Sequence, residues 1–235
     1  MALNRQYNTL DLPIFGKTQR FSQEISTKAI RKAVMDGRRL KVLPSSEWLK
    51  YPWQEIRMLM HEIAVYVLPT EELLDYLDEL IGDEKAIEIC AGTGNIGRNL
   101  DIVMTDSYQQ RDHKLTNQLY KLTGQPVIQY PKDVIKCDAY HAVRRMKPHT
   151  VVGCYATHKW REDTQDGNDR GVDFMDLFDH CERIILVGNK DTHKNNPLMA
   201  VPHVEMMLPG LITRAEDHTK NRIFIWEHIR NNDNK

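Results

Sequence analysis

Apolar positions recur along this chain in two rhythms, and the rhythm changes near Lys85. Before that point they return every three or four residues. "FSQEISTKAIRKAVMDGRR" puts Phe21, Ile25, Ala29 and Ala33 at helical spacing, with Gly37 as the expected stop. "SSEWLKYPWQEIRMLMHEIAVYVL" carries a second stripe through Ile56, Leu59, Met60, Ile63 and Val67, which Pro69 should end. "TEELLDYLDELIGD" comes next, with Thr70 as N-cap, acids in its first turn and Gly82 at its close. After Lys85 short apolar runs take over, at 86–90, 102–104, 134–137, 150–156, 184–188, 211–213 and 223–226. Several intervals between them can hold a helix. The pattern predicts an α/β fold, a doubly wound and mostly parallel sheet of about seven strands covered on both faces. Only "RAEDHTKNR" separates the last two runs, too little for a crossover helix, so they should form an antiparallel C-terminal hairpin. Two units are expected: a helical cap over 1–69 and the sheet domain over 70–235.

Composition narrows the class. The chain has 235 residues, 41% hydrophobic, which suffices for one large core. A net charge of -1 offers no broad field for nucleic acid or for an anionic membrane. Cys90, Cys137, Cys154 and Cys181 are widely separated, and three of them sit in or beside strand-like runs, which suits buried thiols rather than a metal or disulfide framework. No H-x-x-x-H or H-E-x-x-H spacing points to a metal. The start "MALNRQYNTLDLPIF" has no signal-peptide pattern, and no run reaches the roughly 20 apolar residues of a membrane helix, so a cytoplasmic protein is expected.

The candidate chemistry lies in "AIEICAGTGNIGRNL". A buried strand should end near Cys90, a glycine turn come after it, and a helix open around Asn95 to Gly97. In open α/β sheets ligands bind outside the carboxyl ends of strands, and glycines admit close approach. Gly92, Gly94 and Gly97 also satisfy G-x-G-x-x-G, the dinucleotide pattern. On the residues alone, Glu88 can be an inward acid bonded to amides, Asp106 a helix N-cap, and Asp138 the cap of "AYHAVRRM".

Glu88, followed by Ala91, Gly92, Thr93 and Gly94, resembles the first motif of the class I, Rossmann-like S-adenosylmethionine-dependent methyltransferases. The resemblance spans about residues 70 to 230, with Cys90 where the family commonly has its first glycine. It implies that this turn wraps the methionine part of S-adenosyl-L-methionine. It further implies that Asp106, ending "DIVMTD", takes the ribose hydroxyls, and that Asp138 and Ala139 meet the adenine. Ser107 and Tyr155, beside strand ends, complete the implied cofactor set with Cys90. The gap from Glu88 to Asp106 is short for the family and implies a clipped first helix. The acid before the turn and the helices preceding it favour the methyl donor over NAD. An NAD-dependent oxidoreductase, or a binding protein without transferase activity, stands as the alternative.

The acceptor should lie over "TVVGCYATHKWRED". The motifs of base-directed aminomethyltransferases and cytosine C5 enzymes are missing there, which leaves a small molecule as the expected acceptor and nucleic acid unfavoured. His158 is the candidate base and Trp160 the candidate stacking surface, with Asn189 and His193 nearby. "QDGNDRGVD" reads as a mobile loop able to close over a substrate. Arg57 and His61, four apart on one helical face, would suit an acidic acceptor.

Overall fold

A computed structural model describes residues 25–228. The chain opens with α1 (Lys28–Val34), the small hairpin β1 (Met35–Asp36) and β2 (Arg39–Leu40), then α2 (Ser45–Trp48), α3 (Trp53–Glu62) and α4 (Glu71–Ile81). Phe21 of the first predicted helix lies outside the described residues. The rest of that helix stops at Val34, and Gly37, at φ +57°, turns the hairpin instead of ending a helix. The second predicted helix divides at Pro52 and ends at Glu62, well before Pro69. Val67 there is extended and bridges to Thr213. α4 forms as the sequence predicts: the Thr70 hydroxyl caps the Leu73 amide, and Gly82 takes φ +57° at the C-terminus.

The remaining strands and helices are β3 (Ala86–Ile89), β4 (Val103–Asp106), α5 (Gln109–Asp112), α6 (Lys114–Leu122), β5 (Ile135–Lys136), α7 (Ala139–Met146), β6 (Thr150–Cys154), α8 (Phe174–Phe178), β7 (Arg183–Asn189), α9 (Lys190–His193), β8 (Val204–Met206) and β9 (Asn221–Glu227). β3 to β9 form one sheet in the order β5-β4-β3-β6-β7-β9-β8. β3 to β7 run parallel, and β9 is antiparallel to both β7 and β8. This is the expected α/β architecture, with an antiparallel C-terminal pair and N-terminal helices.

The hairpin uses a different partner from the predicted one. Run 211–213 is not in the sheet; β9 pairs with 204–206, an edge of three residues too short to show a period. The displaced run carries Thr213, which bridges Val67, and Ile212, whose carbonyl accepts from the Leu68 amide (3.0 Å).

Adjacent strand residues face opposite layers, the signature of a sheet buried on both sides. Val151, Ile184, Leu186, Phe224 and Trp226 pack with α7 and α8, through Val143, Phe174 and Leu177. Their neighbours Val152, Ile185, Val187 and Ile223 pack with Leu73, Leu77 and Ile81 of α4. A third cluster joins Ile30, Trp48, Ile56 and Leu59 of the N-terminal helices to Ile212. Among the described residues no helix is long and apolar enough to cross a membrane.

Candidate functional site

The sheet reverses its winding between β3 and β6. β4 and β5 lie on one side of β3, and β6 with its successors on the other. Ligand crevices form at such points, outside the strands' carboxyl ends. A cleft of about 620 Å³ sits there, lined among others by Glu88, Gly92, Asp106 and Tyr155. A second cavity of about 700 Å³ adjoins it and shares Cys90, Ser107 and Gln109.

The chain leaves β3 through Cys90 at φ +52°, a left-handed conformation that ordinarily favours glycine. The cysteine occupies it at a cost of about 1 kcal/mol. Ala91 N–H donates to Thr105 O (3.0 Å), and Gly94 N–H to Ala91 O (2.7 Å), which tightens the turn. Residues 92–101 form successive turns and no helix, which corrects the helix expected to open near Asn95. Arg98 braces the turn: it donates to Gly94 O (2.8 Å) and Thr93 O (3.2 Å) and pairs with Asp133 at 2.6 Å.

Two carboxylates back this turn. Glu88 is 2% exposed and takes the Gly97 amide on Oε2 (2.8 Å). A Cβ on Gly97 would lie 2.7 Å from that oxygen, so the third glycine of the pattern makes room for the acid. Burial pushes the Glu88 carboxyl up to about 8; the Gly97 amide opposes this and the Asp106 charge adds to it. Asp106 takes the Gly92 amide on Oδ2 (3.0 Å) and the Tyr108 amide on Oδ1 (2.8 Å). Burial raises its pKa against those two amides and a bond from the Tyr130 hydroxyl. Tyr130 stacks on Tyr108 with ring centroids 4.0 Å apart, closing that wall.

The structure brings most of the nominated cofactor residues together. Glu88, Cys90, Ala91, Gly92, Thr93 and Asp106 line the cleft, as do Ser107 and Tyr155. Asp138 and Ala139 line the adjoining cavity, joined to the cleft through Cys90 and Ser107. Asp138 also caps α7, accepting from the His141 amide (3.0 Å) and lying 2.7 Å from its Nδ1. Gly94 lines neither space. Its α-carbon faces Met104 and Arg98, and a Cβ would come within 2.7 Å of the Met104 sulfur.

The nominated catalytic pair lies elsewhere. His158 is 1% exposed and lines neither cavity, and among the described residues neither ring nitrogen finds a hydrogen-bond partner. Burial lowers its pKa. Trp160 is half-buried, outside both linings, with its amide bonded to Asn168 O (2.9 Å). The physical reason is the segment expected to be a mobile loop. It folds back onto 157–161 through bridges His158–Val172, Lys159–Asn168 and Arg161–Asp166. Gly171 fits so closely that a Cβ would lie 2.2 Å from His158 O. The loop's own residues, Asp166 and Gly171 among them, line the cleft in place of the histidine. Asn189 is a buried structural knot that donates to Asp217 O (2.8 Å) and Asn221 Oδ1 (3.0 Å), and His193 packs beneath it.

Apart from Tyr155, the sequence pattern did not point to the far wall, made by Tyr66, Tyr120, Tyr155 and Arg214. Arg214 is 7% exposed, and its guanidinium sits 3.8 Å over the Tyr66 ring. Tyr66 and Tyr155 stack at 5.8 Å, and the Tyr120 hydroxyl bonds that of Tyr66. The signal for Arg214 was one basic residue after a short apolar run. Only the pairing of 212–214 with 66–68 places it. Arg57 and His61 feel the Arg214 charge but line neither cavity.

No protein-family model matches the chain, and no curated protein matches it. Solved structures resemble it distantly. A hypothetical protein of Thermus thermophilus aligns at 13% identity over 83% of this chain and 98% of its own, with TM-score 0.37. A mutant of MtNAS aligns at 12% identity over 78% and 68%, with TM-score 0.37. WbdD aligns at 10% identity, and the match covers 66% of this chain but only 38% of WbdD, with TM-score 0.36. Likenesses this low carry no argument about activity.

Proposed function

We propose that this chain is an S-adenosyl-L-methionine-dependent methyltransferase acting on a small acceptor. The observation that carries the reading is the bond from the Gly92 amide to Asp106. It joins the acid ending β4 to the glycine turn ending β3 as one wall of the cleft. Asp106 lines this wall with acceptor oxygens, which suits a ligand bearing hydroxyl or ammonium donors and disfavours a pyrophosphate. Gly92, Thr93 and Glu88 would hold the methionine end, Asp106 and Ser107 the ribose, and Cys90, Asp138 and Ala139 the adenine. The Gly92 and Tyr108 amides and the Tyr130 hydroxyl take three of the roughly four lone-pair sites of Asp106 and leave one for a ligand hydroxyl. Bound there, the cofactor supplies an electrophilic methyl group, and the chain's part is to hold two reactants in line.

Two observations weigh against the dinucleotide reading. No helix comes after the glycine turn to receive a pyrophosphate. The last strand among the described residues, β9, also lies antiparallel between β7 and β8, unlike the dinucleotide order. A binding protein without transfer is the second reading, favoured by the removal of His158 from the cleft.

Titration calorimetry with S-adenosylmethionine, S-adenosylhomocysteine and NAD tests the proposal. Micromolar binding of both sulfur ligands and none of NAD is expected. Asp106→Ala should weaken them by about 1–3 kcal/mol. Silence from both sulfur ligands would sink the reading, and methyl release to an acceptor separates enzyme from binder.

A further inference from the structure

We propose that the segment between β6 and α8 is an acid-released lid over the cleft, with the buried imidazole of His158 as its keystone. The inference concerns one wall of the cleft and holds whatever ligand the cleft takes.

The segment is anchored at both ends and held lightly between them. Ala156 and Val172 sit in the apolar layer with Phe174. Between these anchors His158 carries the one fully buried side chain, and the others are exposed or half-buried. The rest of the hold is backbone. Lys159 N–H donates to Val172 O, Trp160 N–H to Asn168 O and Asn168 N–H to His158 O, each at 2.9 Å. Asp166, Asn168 and Gly171 of this segment line the cleft, so its release removes a wall.

A polar ring is buried where an apolar side chain would close the lid more firmly. Neither nitrogen of His158 has a hydrogen-bond partner among the described residues, and the same holds for Nε2 of His193 in α9. A neutral imidazole sits there at a cost, and a charged one would lose its hydration as well. The charged and titratable groups facing His158 are Asp166 and Arg161 of the segment itself and His193 of α9. Asp166 is the carboxylate among them, and its oxygens each already accept one bond, from Asn195 Nδ2 (2.7 Å) and from the Gly167 amide (2.8 Å). Burial lowers the His158 pKa, and Arg161 adds to this against the pull of Asp166. The released segment takes a proton near pH 6.5, the closed one only at lower pH. Closure therefore weakens as pH falls below about 6.5, by at most about ten-fold per pH unit.

Amide hydrogen exchange on the full chain at pH 7.0 and 5.5 tests this, each rate being divided by the intrinsic rate at its pH. Protection of the Lys159, Trp160 and Asn168 amides should fall at least roughly five-fold, and the β7 amides of Ile185 and Leu186 should not follow. Histidine NMR should show the His158 ring titrating below pH 6.5, over the range in which the segment opens. His158→Leu removes the proton site and should leave the segment's protection independent of pH in that range. Should this variant unfold, the wild-type exchange profile and the His158 titration decide. Unchanged protection at pH 5.5, a fall shared equally by β7, a His158 ring titrating at or above pH 6.5, or the same pH dependence in folded His158→Leu would overturn the inference.

Discussion

Replacing Glu88 by glutamine should make the protein more stable at pH 8 while changing little at pH 4.5. Glu88 is 2% exposed, and burial raises its carboxyl from about 4.5 to about 8. The raised value fixes the sign. Below pH 4.5 the side chain is protonated in both states and costs nothing. As pH rises toward 8 the unfolded chain releases the proton and the folded one keeps it, so stability is lost across that window. At about 1.4 kcal/mol per decade of proton affinity, the loss approaches 5 kcal/mol, a large share of the 5–15 kcal/mol typical of a domain. Glutamine keeps an oxygen for the Gly97 amide and has no proton to lose. Urea unfolding of both proteins at pH 5, 6, 7 and 8 measures the difference. His193 and His61, each pushed down to about 4 chiefly by burial, lose stability as pH falls below 6.5. Both proteins share that loss, so it cancels in the comparison. The difference should open by several kcal/mol in favour of Glu88→Gln between pH 5 and 8. A constant difference would refute the assignment of a buried, neutral carboxyl behind the turn.

Other substitutions probe the frame of the site. Lys147 ends α7 exposed and left-handed at φ +48°, so Lys147→Gly should stabilise by about 1 kcal/mol in thermal unfolding. Gly171→Ala should force the loop off His158 O, raising proteolysis within 160–171 and weakening any ligand of the cleft, while the sheet's far-ultraviolet signal persists. Gly97→Ala should push Glu88 aside and cost roughly 2 kcal/mol or more, read by urea denaturation.

The acidic wall was largely legible. Glu88, the glycines and Asp106 are close in the chain, and the apolar runs around them mark two neighbouring parallel strands. Their local pattern therefore carried their geometry. The segment just after the turn was not legible. "NIGRNLD" reads as a short helix, but the Gly97 amide goes to Glu88 and the Thr93 carbonyl to the Arg98 side chain, where a helix would join the two. His158 lies off the cleft for a similar reason. Its strand-end position is real, but the Gly167–Gly171 backbone approaches close enough to cover it, a contact no periodicity announces.

The sequence alone determined the layered α/β class and most of its strands, because two-sided burial demands apolar runs and short-range periods record that demand. It also determined the cap of α4 and the glycine turn, since capping and left-handed backbone are set by a few adjacent residues. Tertiary structure decided the rest: that 204–206 rather than 211–213 pairs with β9, that the released segment pairs with 66–68, and that Arg214 is thereby carried to the wall opposite Asp106. The last two depend on contacts between residues more than a hundred positions apart. The free energy of such contacts belongs to the packed whole and leaves no local trace in the order of residues.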